Sequence, residues 1–101
     1  DKMTRVWPLV RSVKRVRSLG SAVMELSLVA SGGLDAHVDV RDALTGENFL
    51  AAGHLIEEAG GVITDQCGNS LAPMESLSQR FNVIASGNPL LHKAILSALD
   101  M

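Results

Sequence analysis

Two groups of residues have types and spacing that suit chemistry on anions and hydroxyls. The first is "RSLGSA" (Arg17 to Ala22), where the chain reaches a helix start through Gly20-Ser21. Glycine lets a ligand approach the backbone closely, and the free N–H groups of a first helical turn attract anionic or hydroxyl oxygens. A Gly-Ser turn is equally the ordinary form of a helix cap. The second group is Asp39 and Asp42 around the end of "AHVDV", with Glu47 and Asn48 opening the next helix. Clustered oxygens of this kind are what Mg²⁺ or sugar hydroxyls require, although acids in a first turn also simply complement the helix dipole. In open α/β sheets, ligands bind at the carboxyl ends of strands, and both groups fall at such ends.

Other reactive side chains offer less. His37, His54 and His92 lack metal-ligand spacing and have no cysteine partners, which argues against zinc. Cys67 lies in a Gly-Asn turn without an evident base, and reads as a surface or half-buried thiol rather than a nucleophile. Met24 and the other methionines read as core filler. "GSAVMELSLVASGG" fits neither the P-loop nor the dinucleotide fingerprint.

The elements that would position these residues follow from periodicity and caps. Pro8 can begin a short helix with Leu9, Val10 and Val13 on one side, followed by a brief strand through Val16. Ala22, Leu26, Val29 and Ala30 then keep helical spacing, with Ser18 or Ser21 as N-cap and Gly32-Gly33 as the stop. "LDAHVDV" alternates as a strand, with Ala36, Val38 and Val40 on one face and His37 and Asp39 on the other. Phe49, Ala52, Ile56 and Ala59 form the stripe of a helix ended by Gly60-Gly61. "VITD" is a short strand, "QCGNS" a turn, and a loop with Pro73 leads to the strand "FNVIASG". Asn88 caps a last helix from Pro89 that buries Leu91, Ala94, Ile95 and Ala98. Helices alternating with strands predict one α/β domain, layered α/β/α around a mainly parallel sheet of about four to five strands.

Composition agrees with such a core. The 101 residues are 47% apolar but hold one Trp, two Phe and no Tyr, so aliphatic side chains must fill the interior. The single cysteine excludes an internal disulfide, and no stretch approaches the ~20 apolar residues of a membrane helix. With no signal peptide visible, a cytoplasmic protein is expected. Net charge is −2, yet Lys2, Arg5, Arg11, Lys14, Arg15 and Arg17 against Asp1 give the first seventeen residues +5, leaving −7 for the rest. That segment is either a solvated helix face or an edge that meets phosphate or nucleic acid.

Three stretches, "VRSLGSAVMELSLVASGGLDAHVDV", "NFLAAGHLIEEAGGVITDQCGNSL" and "NVIASG", together resemble the C-terminal half of inositol monophosphatase-like phosphatases. The resemblance covers roughly Val16 to Gly87, and "DAHVDVRDAL" is similar to the archaeal branch that acts on inositol monophosphate and fructose-1,6-bisphosphate. It implies a Mg²⁺-dependent phosphomonoesterase of which residues 1–101 are the C-terminal substrate-binding half. The N-terminal metal-binding half would be absent, with no catalytic residue in this half and no activity from it alone. The resemblance assigns Asp39 to sugar or inositol hydroxyls, the backbone of Gly20, Ser21 and Ala22 to substrate contact, and Arg17 to the motif arginine; Arg41 suits a second phosphate. The family's metal-binding Asp falls on Asn48 and the Trp before it on Glu47, a departure from the pattern. Asn brings no negative charge to a Mg²⁺ site, and Glu47 becomes the ligand only if the helix register slips by one. The implied partner is a small sugar or inositol phosphate, in a homodimer, with a nucleic acid or a membrane not expected. The alternative is a non-catalytic binding or assembly module that keeps the phosphatase fold.

Overall fold

A computed structural model of the chain describes residues 2–13, 15–16, 18–71 and 79–99, and gives the backbone alone for residues 2–5 and 12. Four helices and three strands follow in the order α1 (Lys2–Ser12), α2 (Ala22–Ser31), β1 (Ala36–Leu44), α3 (Gly46–Glu58), β2 (Val62–Thr64), β3 (Phe81–Ser86) and α4 (Pro89–Leu99). The strands form one sheet in the order β1-β3-β2, with β3 antiparallel to both neighbours. A mainly parallel sheet of four to five strands is therefore not what these residues build. The reason lies in which strand takes the centre. Because both flanking strands oppose β3, β1 and β2 run in the same direction, as a strand-helix-strand alternation predicts, but β3 enters between them and pairs with each.

The layers are those expected. On one face α2 and α3 pack Leu26, Val29, Phe49, Ala52 and Ile56 against Phe81, Val83 and Ala85 of β3. On the other, α1 and α4 cover Val40 and Ile84 with Val6, Leu9, Ile95 and Leu99. Buried on both faces, β3 reads as the continuous run "FNVIAS" rather than an alternating strand. Phe49 meets Phe81 edge to face, centroids 5.1 Å apart, so the two phenylalanines tie α3 to the central strand.

Local chemistry explains most boundaries. Ser21, not Ser18, caps α2: its hydroxyl accepts the Met24 N–H at 3.2 Å, and Gly32 in the left-handed region (φ +87) closes the helix. Gly60, at φ +89, turns the chain after α3. Gly61 serves close approach instead, since a Cβ there would stand 2.5 Å from the Ser86 carbonyl oxygen. The Asn88 side chain accepts the Leu91 N–H at 2.8 Å and caps α4.

Several expectations are corrected. Pro8 lies inside α1 rather than at its start, and residues 15–16 form no strand; Val16 is 65% exposed. Met24 is 55% exposed on the outer side of α2 and is not core filler. Ala59 is the exposed C-cap of α3. On α4 the buried stripe is His92, Ile95 and Leu99, and Ala94 faces out. The polar His92 goes inside because its ring meets Ser86 Oγ at Nδ1 (2.9 Å) and Thr64 Oγ1 at Nε2 (2.7 Å), one hydroxyl from each of two adjacent strands. Pro73 lies outside the described residues. Among the described residues, no helix is long and apolar enough to cross a membrane.

Candidate functional site

The first wall of the site is the turn before α2. Gly20 takes φ +78, a conformation that costs a side chain but not glycine, and it leads through the Ser21 cap to Ala22. The N–H groups at the start of α2 thus open onto the space in front of β1.

The second wall is β1 itself. His37 and Asp39 share the face toward α2, while Ala36, Val38 and Val40 face α1 and α4, the alternation read from the sequence. The Asp39 carboxylate is buried and clamped by Arg41. Oδ1 accepts the Arg41 N–H (3.1 Å) and Nε–H (3.0 Å), and Oδ2 accepts from Nη2 at 2.6 Å. Burial pushes the Asp39 carboxyl up, but these bonds and the guanidinium charge outweigh it and hold the group below the usual carboxylate range. The same pairing raises Arg41. A carboxylate has about four acceptor positions, and Arg41 fills three of them. One position on Oδ2 is not used by Arg41.

Beyond Asp39 the strand leaves regular register. Asp39 pairs with Val83 but Leu44 with Phe81, so four residues of β1 face the single Asn82 of β3. Asn82 Oδ1 accepts the Asp42 N–H at 2.7 Å, and Asp42 takes φ +55, which aspartate tolerates better than most residues. This bulge turns the end of β1 toward the third wall, the start of α3.

There Thr45 is the N-cap, and Asn48 closes a capping box upon it. Asn48 Oδ1 accepts both the Thr45 N–H (2.8 Å) and the Thr45 hydroxyl (3.1 Å). A main-chain N–H can face only an acceptor, so the amide orientation is fixed and both lone pairs of its oxygen are used. The neighbouring Glu47 is exposed.

The three walls enclose one cleft of about 720 Å³. Of the residues singled out in the sequence, Gly20, Ser21, Ala22, Asp39, Arg41 and Asn48 all line it. Glu47 and Asp42 do not, and Arg17 lies outside the described residues. Arg11, exposed on α1, stands 5.4 Å over the Trp7 ring. Among the described residues, no three His, Cys, Asp or Glu side chains converge as a metal site.

Sequence reasoning missed Glu25 and Asn82, and took His37 only as a failed zinc ligand. Glu25 and His37 both line the cleft and bond to each other at 2.9 Å. The available signal for Glu25 was its place one turn after the Gly-Ser cap; for Asn82, a polar residue in an otherwise apolar central strand.

This cleft, with its glycine turn, the strand carrying Asp39 and the helix start in this order, can be set beside known proteins. The sequence profile of the Inositol monophosphatase family matches residues 2–101. The chain belongs to that family. Two archaeal relatives carry the name fructose-1,6-bisphosphatase/inositol-1-monophosphatase. The Methanothermobacter thermautotrophicus protein is 36% identical over 99% of this chain, and the Thermococcus kodakarensis protein 40% identical over 90%. Among solved structures, a Pyrococcus horikoshii protein described as having similarities to inositol-1 monophosphatase superposes with a TM-score of 0.84, at 34% identity over 91% of this chain and 37% of its own. The chain spans 36% of the length of each of these two archaeal relatives.

Proposed function

We propose that the intact protein is a phosphomonoesterase acting on inositol monophosphate, fructose-1,6-bisphosphate or both, and that this chain supplies the substrate-holding part of its site. The observation that carries the reading is the convergence of Gly20 to Ala22, Asp39 and Arg41 on one cleft, in a chain whose archaeal relatives bear those phosphatase names. In this reading the remaining acceptor position on Asp39 takes a sugar or inositol hydroxyl. The N–H groups behind Gly20 and Ser21 take a further oxygen of the substrate, and Arg17, outside the described residues, is assigned to substrate by the motif alone. Arg41, with its side chain 66% exposed, can extend toward a second phosphate while its Nε keeps Asp39 in place.

Mg²⁺ dependence is part of the proposal for the intact protein, but the described donor set does not fit that ion by itself. The Asn48 oxygen is spent on Thr45, Asp39 is neutralised by Arg41 with one acceptor position left, and Glu47 stands outside the cleft. Metal ligation is accordingly assigned to residues outside this chain, and the chain's own part is to bind and orient the ester. Activity of this chain alone is not expected. The exposed Val23, Met24, Leu50 and Leu55 suit a covered surface, in keeping with the homodimer proposed for the intact protein.

Phosphate release from inositol monophosphate and from fructose-1,6-bisphosphate, by the intact protein and by residues 1–101, tests the reading. We expect release by the intact protein only, abolished by chelation and restored by Mg²⁺. No release by a folded intact protein with Mg²⁺ present would contradict it.

A further inference from the structure

We propose that Glu25 is a positioning residue of this cleft, fixing the separation of its first two walls by bonding both at once. The inference rests on the phosphoester reading for its assay and on the geometry for its substance. Glu25 lies in the first turn of α2, where its charge alone would suit the helix dipole. Its two oxygens, however, point to different parts of the site. Oε2 accepts the Leu19 N–H at 2.9 Å, one residue before Gly20, and Oε1 accepts from His37 Nδ1 at 2.9 Å, two residues before Asp39 on the same face of β1. The side chains are largely buried, 5% exposed for His37 and 17% for Glu25, so water competes poorly for the bond between them, while the Leu19 bond lies at the surface.

Among the described residues, the Ser21 cap ties the end of the Gly20 turn to α2, and the Glu25 carboxylate is the side chain that reaches back to its start. Apart from its chain neighbours, no described atom lies within 4 Å of where a Cβ of Gly20 would stand, and Leu19 is exposed. The carboxylate therefore replaces packing as the restraint on that turn, and it anchors the turn to the strand that carries Asp39. A displacement of either wall by about 1 Å is enough to cost an enzyme orders of magnitude in use of its substrate.

The His37 ring shows why a carboxylate is needed rather than any polar group. An ionised carboxylate only accepts, so Nδ1 carries the hydrogen, and Nε2 is buried and without a partner among the described residues. An amide at position 25 cannot repeat both bonds. With its oxygen on Leu19, its NH₂ faces Nδ1 and forces the ring hydrogen onto Nε2, where a buried N–H finds no acceptor. With its oxygen on His37, two donors meet at Leu19. Either arrangement loses one wall or buries an unmet donor.

The test is steady-state kinetics of the intact protein and its Glu25→Gln and Glu25→Ala variants on inositol monophosphate, with thermal unfolding measured beside it. Glu25→Gln keeps the volume and serves should Glu25→Ala fail to fold. We expect KM to rise about tenfold in Glu25→Gln with kcat within about threefold of the parent, a split that loss of stability alone would not give. A folded Glu25→Gln protein with the parent's KM, whatever its unfolding temperature, overturns the inference and leaves the phosphatase reading intact. An inactive parent removes the phosphatase reading, and this inference with it.

Discussion

At the scale of single residues the site is a set of committed hydrogen-bond positions. Asp39 has one acceptor position left, Asn48 has none on its oxygen, and Glu25 divides its two oxygens between two walls. Sequence pattern puts Asp39 on a strand and Gly20 to Ala22 at a helix start as two separate groups, and the family resemblance joins them with Arg41; in the structure all of them line one cleft. Pattern does not reveal how the acceptor positions are spent where partners are distant, as for Glu25 with His37, 12 residues away, and Asn82 with Asp42, 40 residues away. His92 gives a prediction at this scale. Burial lowers its pKa, so the folded state holds it neutral more firmly than the unfolded chain does. The stability this contributes is complete above the unfolded value of about 6.5 and is lost as pH falls through the lower folded value. The unfolding temperature should drop as the pH falls from 7 toward 5. A His92→Gln variant, which keeps a polar group near Thr64 and Ser86 but does not titrate, should show a smaller drop by calorimetry over the same interval. An unchanged pH dependence in the variant would remove this role from His92. The Asp39–Arg41 pair works at lower pH: its contribution is present above the ordinary carboxylate value and is lost only as pH falls through the depressed folded one.

At the scale of elements, local chemistry was legible where caps are strong. Ser21 and Gly32, Gly60, and Asn88 bound helices that periodicity already outlined, whereas the Thr45 cap of α3 shows only in the structure. It was not legible at α1, where Pro8 sits within the helix, or along β1, which runs on to Leu44 through the bulge at Asp42. A bulge is set by the facing strand and leaves little trace in its own residues. The double glycine after α3 separates two causes that sequence cannot distinguish. Gly60 has open space around a would-be Cβ but a left-handed φ, whereas Gly61 has the Ser86 oxygen at 2.5 Å and Ile56 Cγ2 at 2.8 Å. Gly60→Ala should therefore cost about 1 kcal/mol of backbone strain. Gly61→Ala should cost about 3 kcal/mol, since a buried strand and the α3 core must both give way. Chemical denaturation of the two variants in the intact protein measures the difference, and equal costs would refute the close-approach reading of Gly61.

At the scale of the whole molecule, the α/β/α layering follows from the sequence and the strand pairing does not. β1 and β2 do run in the same direction about an intervening helix, but which strand occupies the centre is decided by apolar burial on both faces. Only β3, with all six residues buried, can tolerate that place. Centring β3 leaves β1 at an edge of the sheet among the described residues, where its regular part carries Asp39 on the face toward α2 and its bulged end leads to the start of α3. The family membership and the cleft are what the proposal of a phosphatase whose substrate is held by this chain rests on. The most direct test of that claim is the KM of the intact protein on inositol monophosphate before and after Asp39→Asn. This change preserves shape but converts one of the acceptor oxygens into a donor facing Arg41. We predict a rise in KM of about tenfold or more, the loss expected of a charge-assisted hydrogen bond. An Asp39→Asn protein with the parent's KM would show that the substrate is held elsewhere.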